Sequence, residues 1–327
     1  MTPLDAAPSG PGGAPGSPAV AFCGMELAHR VVNGSGTYDA IAARRAFGDA
    51  LVERFPFSAF VSKTITLEPR AGNPPPRLWE TPAGLINSIG LPNRGLHGYL
   101  EHDLPELAAL PVPLITNVMG STEAEVAELV EAVGARPEIA AIELNVSCPN
   151  VKTGLDIGAD PGSLAALVRA VRPLTRTPLI VKLTPNTADV AAVAVAAERE
   201  GADAVSLVNT LRAMALAPRT RAPWLGGGTG GLSGPAIRAV ALAQVAAVVR
   251  QVSIPVVGMG GVTRVEHAQD LLSTGATLVA VGTETFRDPA VASCIASALK
   301  SLQNPETPST SVKASEPQVE VDVNSAD

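Results

Sequence analysis

Ile142-Glu143-Leu144-Asn145-Val146-Ser147-Cys148-Pro149-Asn150 begins as an apolar, β-favouring run and turns abruptly into polar side chains. Pro149 cannot donate to a sheet ladder and so ends the strand. The stretch reads as a strand whose carboxyl end carries chemistry at the mouth of a sheet or barrel. A cysteine at such a tip has a thiolate form that can act as base or nucleophile. A small cysteine packed inertly inside is the plainer alternative.

Outward from this strand, short apolar runs alternate with longer helical segments, the signature of repeated β-α units and a parallel sheet. Strands are expected over 30–32, 59–65, 113–118, 139–146, 179–183, 204–208, 255–259 and 278–281. Helices are expected over 38–54, 122–133, 161–171, 187–199, 235–249, 264–273 and 289–302. Start signals support several of them, such as Ser121-Thr122-Glu123 and the prolines of Asp160-Pro161 and Asp288-Pro289. Gly201 and Gly275 stand where helices should stop. This count fits an α/β fold of the (β/α)8 TIM-barrel type; a doubly wound open sheet is the alternative. A single barrel domain is expected over 21–302, between a disordered leader (1–20) and a disordered tail (303–327), both too poor in large apolar groups to offset ordering entropy.

Composition agrees. The chain has 327 residues, 46% hydrophobic but only 3% aromatic, so its core must be built from Ala, Val, Leu and Ile, as in parallel strands and their covering helices. The formal net charge of −7, with no block of basic residues, argues against nucleic acid or an anionic membrane as partner. Cys23, Cys148 and Cys294 lie far apart, without metal-ligand spacing or a disulfide framework, which suits a reducing cytoplasm. No metal site and no membrane span are expected.

The carboxyl ends of the expected strands are polar or glycine throughout: Asn33 to Gly36, Ser62 to Thr64, Asn117, Asn145 to Cys148, Lys182, Asn209-Thr210, Gly260-Gly261 and Gly282-Thr283. In barrels these ends build the catalytic face. The late glycine pairs, with Gly226 to Gly234, suit a phosphate held by backbone N–H groups, although glycine at a strand end also serves simple turns. Lys63 and Lys182 sit inside apolar runs, where a lysine is costly unless an anion meets it. Asn87, Asn117, Asn145 and Asn209 supply paired donors and acceptors that suit a planar heterocyclic diamide.

Residues 24–290 resemble the class 1 dihydroorotate dehydrogenases, and most of all the FMN-containing catalytic subunit of the class 1B enzymes. The resemblance is carried by Lys63 to Arg70, Gly72 to Arg77, Glu80 to Leu91, Asn145 to Lys152, Val208 to Thr210 and Gly231 to Pro235. It implies FMN near Ser35, Lys63, Thr64, Asn117, Asn145, Lys182, Val208 and Gly234, with its phosphate on Gly260, Gly261, Gly282 and Thr283. It implies dihydroorotate held by Lys63, Asn87, Ser88, Ile89, Gly90, Leu91, Asn145, Asn209 and Thr210, and oxidised to orotate in pyrimidine biosynthesis. Cys148 would remove the C5 proton while hydride leaves C6. Electrons would pass to NAD through a partner subunit holding FAD and a 2Fe–2S cluster, around a homodimeric core. Fumarate-dependent class 1A enzymes, pyrimidine reductases of the dihydropyrimidine dehydrogenase type and a non-catalytic flavin-binding barrel are the competing readings.

Overall fold

The structure is a computed structural model that describes residues 19–146 and 156–303. Eight strands form one parallel sheet: Val31–Asn33 (β1), Phe60–Val61 (β2), Leu114–Val118 (β3), Ile139–Asn145 (β4), Leu179–Lys182 (β5), Ala204–Leu207 (β6), Val256–Met259 (β7) and Leu278–Val281 (β8). Their order is β1-β8-β7-β6-β5-β4-β3-β2, so only β1 and β2 lack a ladder partner on one side. That gap is closed by Ser58 N–H donating to Val31 O and by the Asn33 side chain, which exchanges two hydrogen bonds with Val61. The sheet is a (β/α)8 barrel, and the eight expected strands are its eight staves.

Helices cover the outside: Ala40–Phe47 (α1), a continuous helical segment over 95–108 (α2), Glu123–Gly134 (α3), Pro161–Val171 (α4), Val190–Arg199 (α5), Arg238–Val249 (α6), Val265–Ser273 (α7) and Val291–Gln303 (α8). Short polar caps start four of them. Asp39, Thr122, Asp160 and Asp189 each accept a backbone N–H from the first turn. Gly201 and Gly275 stop α5 and α7 with φ of 95° and 106°.

The structure corrects four details of the expected elements. The helix expected over 38–54 breaks at Gly48, which turns with φ 59° before a short second helix, Asp49–Glu53. The expected strand 59–65 is regular only at Phe60–Val61, with Ile65 bridging to Val118 beyond it. The helix expected from Pro235 opens with a tighter turn, Pro235–Ile237, before α6. The last helix starts at Val291, two residues after Pro289, with the Asp288 carboxylate accepting the Ala290 N–H.

Two apolar layers result. One lies between sheet and helices, where for example Leu129, Val130, Leu164 and Val168 are fully buried. The other fills the barrel with Val32, Ala59, Val61, Ile115, Ala141, Ile180, Ala204, Val257, Met259, Leu278 and Ala280. A hairpin, Val20–Phe22 with Met25–Leu27, adds Phe22, Met25 and Leu27 to that interior and closes its floor. Its turn residue Cys23 lies against Asp203, just before β6, and burial there pushes the thiol up to about 12. The expected leader and tail lie almost wholly outside the described residues.

Over the opposite end lies a second, antiparallel sheet in the order Leu211–Ala213, Gly230–Ser233, Gly84–Asn87, Leu78–Thr81. Its strands come from the segments after β2 and β6, on the face where strand ends build sites. No helix among the described residues is long and apolar enough to cross a membrane.

Candidate functional site

Inside the upper barrel the side chains change from apolar to polar in one step. Asn117 of β3 is paired opposite Glu143 of β4, and Ser206 of β6 is paired opposite Lys182 of β5. All four are buried, at 0%, 3%, 0% and 5% exposure. Glu143 joins them. Its Oε1 accepts from Asn117 Nδ2 at 2.5 Å and lies 3.8 Å from Lys182 Nζ, while its Oε2 accepts from Ser206 Oγ at 2.7 Å. Asn117 Oδ1, pointed away from the carboxylate, is buried without a partner among the described residues.

One layer higher, Ser35 Oγ donates to Ser62 O at 2.8 Å and lies 3.4 Å from Thr64 Oγ1, to which Asn145 Nδ2 donates at 3.4 Å. Ser35, Thr64 and Asn145 therefore meet across β1, β2 and β4. Lys63, between buried Ser62 and Thr64, projects into solvent. The sequence expectation of two buried lysines is thus corrected: Lys182 is enclosed and needs compensation, whereas Lys63 is a hydrated cation at the rim.

The glycine ends form an arc on the far side. A Cβ on Gly261 would lie 2.9 Å from Gly234 O, and one on Gly260 would press on Ala241 Cβ at 2.5 Å and Val208 Cγ2 at 3.3 Å. A Cβ on Gly234 would lie 3.0 Å from Gly84 Cα and 3.6 Å from Thr283 Cγ2, one on Gly34 3.6 Å from Gly282 Cα, and one on Gly36 3.9 Å from Lys63 Cγ. Gly260 and Gly261 take φ of 127° and 70°, conformations closed to other residues at little cost. Val208, Gly234, Gly260, Gly261, Gly282 and Thr283 thus line one wall, Gly260, Gly282 and Thr283 half-buried and the others buried, leading round to Lys63.

The segment 87–91 hangs over this opening. Asn87 Nδ2 donates to Gly231 O at 3.2 Å, Ser88 Oγ receives Asn73 Nδ2 at 2.9 Å, and Ile89 O receives Asn73 N–H at 3.0 Å. Gly90 turns with φ 75° directly against Asn73, and Leu91 follows with φ 53°. Asn93 then clamps the strip, donating to Leu91 O and Thr66 Oγ1 at 2.9 Å and accepting the Gly95 N–H at 2.8 Å. Asn209 Oδ1 accepts the Thr210 N–H at 2.8 Å, and Thr210 Oγ1 abuts Gly231, where any side chain would collide.

Cys148 lies outside the described residues, as do Ser147, Pro149 and Asn150. The described flanks of that segment meet each other: Gly158 N–H donates to Val146 O at 3.1 Å. Sequence reasoning missed Glu143, Ser206, Asn73 and Asn93 as parts of the site. For Glu143 the signal was available, because a carboxylate between Ile142 and Leu144 is as anomalous as Lys182 between Val181 and Leu183.

The residues fit a flavin mononucleotide. A buried acceptor without a partner among the described residues and an enclosed cation suit the imide edge of the ring system, and the glycines of that wall suit a phosphate. Among the described residues no group of three or more His, Cys, Asp or Glu could hold a metal ion.

Comparison with known proteins gives the same direction. The sequence profile of the family described as Dihydroorotate dehydrogenase matches residues 18–302. A Desulforudis audaxviator protein named dihydroorotate dehydrogenase B (NAD(+)), catalytic subunit, is 44% identical over 286 residues, 86% of this chain and 91% of that one. Proteins of the same name from Trichlorobacter lovleyi and Geobacillus kaustophilus are 44% and 42% identical, over 84% and 87% of this chain and 90% of each relative. The crystal structure of DHODH from Eimeria tenella in complex with ferulenol superposes with a TM-score of 0.71 at 22% identity, covering 86% of this chain and 83% of that one, and shares its fold. With a barrel of this architecture, a matching profile over nearly all of its described length and relatives this similar, the chain belongs to the dihydroorotate dehydrogenase family, in its class 1B branch.

Proposed function

We propose that this chain oxidises (S)-dihydroorotate to orotate at the open end of the barrel, with FMN as its cofactor and Cys148 as its base. The observation that carries the reading is the convergence of Lys63, Asn117, Asn145, Lys182 and the glycine arc on one mouth, in a chain whose relatives are named NAD-linked catalytic subunits of this enzyme. FMN, when bound, supplies the hydride acceptor.

The chain's own residues do the rest. Gly260, Gly261, Gly282 and Thr283 hold the phosphate with backbone donors, and Ser35, Thr64, Val208 and Gly234 border the ring system. Lys63, free at the rim, meets the substrate carboxylate without a large desolvation cost. Asn87, Asn145 and Asn209 pair with the ring amides, helped by Thr210 and the strip from Ser88 to Leu91. Cys148 takes the proton from C5 as hydride departs from C6, so that one C–H bond breaks on each carbon and a C=C bond forms. Proton and hydride leave to different acceptors, which makes the base a matter of position as much as of acidity.

The name "catalytic subunit" borne by the relatives supports a separate electron-transfer subunit. In this reading that subunit carries FAD and a 2Fe–2S cluster, a homodimer of this chain forms the core, and the assembly works in the cytoplasm. The test is to purify the chain with and without its partner and measure bound flavin, then dihydroorotate oxidation with NAD, fumarate or quinone. NAD turnover only in the presence of the partner supports the proposal. Turnover with fumarate by the chain alone would instead make it a class 1A enzyme in function.

A further inference from the structure

Glu143 has no task in the chemistry above, yet it is the best-connected buried charge in the barrel. A carboxylate at 3% exposure is costly unless its partners are good, and a barrel layer is filled more cheaply by apolar side chains of equal volume. The layer directly beneath, Ile115, Ala141, Ile180, Ala204 and Val257, is built in that cheaper way. The charged layer therefore calls for a reason other than stability.

Its geometry supplies two. Because Asn117 donates Nδ2 to Glu143 Oε1 at 2.5 Å, the opposite amide orientation would set oxygen against carboxylate oxygen. Glu143 thus fixes the amide with Oδ1 turned away, and that oxygen is buried with no partner among the described residues. Second, Lys182 Nζ stands 3.8 Å from Glu143 Oε1, close enough for its charge to be offset but too far for a closed hydrogen bond. Ser206 Oγ, at 2.7 Å from the other carboxylate oxygen, moderates that offset. The barrel therefore presents a fixed acceptor beside a partly neutralised cation.

We infer that Glu143 is a positioning residue that sets the reduction potential of the flavin, by holding Asn117 with its acceptor outward and by offsetting the charge of Lys182. This rests on the FMN reading above. Reduction of a flavin places negative charge on its pyrimidine ring, so a nearby anion lowers the potential and a bare cation raises it.

The experiment uses the flavin-loaded protein and measures the midpoint potential by dye equilibration and the dissociation constant of sulfite, which adds to oxidised flavin more tightly as the ring becomes more electron-poor. Glu143→Gln keeps an acceptor for Asn117 and a donor for Ser206 but loses the charge. Its potential should move positive and sulfite should bind at least tenfold tighter, one charge about 4 Å away at an effective dielectric of about 20 being worth up to roughly a thousandfold. Ser206→Ala keeps the charge and removes one donor, so its potential should move negative. Wild-type values in Glu143→Gln, or a negative shift, would overturn the inference. Should that variant fail to fold, Ser206→Ala decides: a negative shift supports the inference and an unchanged potential overturns it. A wild-type protein that takes up no FMN overturns the cofactor assignment itself, a result distinct from a loaded protein whose potential ignores Glu143.

Discussion

The side-chain amide of Asn33 stands in for a missing rung between the first and second strands of the barrel. Its Nδ2 donates to Val61 O at 2.7 Å and its Oδ1 accepts the Val61 N–H at 2.8 Å. Both groups of Val61 lie in the buried interior, where an unpaired backbone group costs about 1–3 kcal/mol. Asn33→Ala should therefore lose about 2–4 kcal/mol in chemical denaturation, with the denaturant slope unchanged. A loss of less than roughly 0.5 kcal/mol, the scale of a surface substitution, would show that the barrel does not depend on this closure.

The floor is held by the hairpin before β1. Phe22 is 1% exposed and packs among the interior side chains of the strands. Phe22→Ala should cost about 3–5 kcal/mol, the usual range for truncating a buried phenylalanine. Thermal and chemical denaturation both report it, and a wild-type midpoint would mean that the hairpin merely rests on the barrel.

Acid should weaken the fold through His29. Its Nδ1 accepts the Val31 N–H at the start of β1, and burial holds its pKa below the ordinary 6.5. The folded ring stays neutral where the unfolded chain takes up a proton. The stabilisation is therefore complete above pH 6.5 and is lost as pH falls through that value toward the lowered folded pKa. His267, buried and facing Arg238 and Arg264, is shifted in the same direction. His29→Asn, which retains an acceptor without a titrating ring, should flatten the stability profile below pH 6.5. An equally steep profile in that variant would remove His29 from the cause.

How far the sequence could be read depended on local pattern. All eight barrel strands were legible because parallel strands buried on both faces are continuous apolar runs. The helix over 95–108 was missed, since Gly95, Gly98 and Pro105 interrupt its period and its middle widens into a π-turn at Tyr99–Asp103. The sheet over the mouth was missed because strands such as Gly84–Asn87 and Gly230–Ser233 are short and begin with glycines that read as loop. Their glycines are explained by packing: Gly84 abuts Ser233 O and Gly231 abuts Thr210. At the site, strand-end polarity pointed to Asn117, Asn145 and Lys182. Asn93 was not legible, because its clamp joins Thr66, Leu91 and Gly95, a pattern of contacts that no spacing announces.

Lys63 and Cys148 should separate binding from chemistry. Lys63→Ala should weaken both FMN and dihydroorotate binding, since the residue lies beside the glycine arc and at the rim, and titration of each ligand measures this directly. Normal affinity for both would count against a shared anionic site. Cys148→Ala should retain bound FMN and lose about 10²–10⁴-fold in the rate of flavin reduction by dihydroorotate, the usual contribution of a positioned base. Unchanged reduction would move the base elsewhere.

The central claim, that this barrel oxidises dihydroorotate on a bound flavin, is tested most directly by anaerobic mixing of the FMN-loaded protein with substrate while the visible flavin absorbance is followed. The account predicts that dihydroorotate bleaches the flavin in a single stoichiometric step and that dihydrouracil, which lacks the carboxylate, does not. A loaded flavin that stays oxidised in dihydroorotate, or that dihydrouracil reduces equally well, would contradict it.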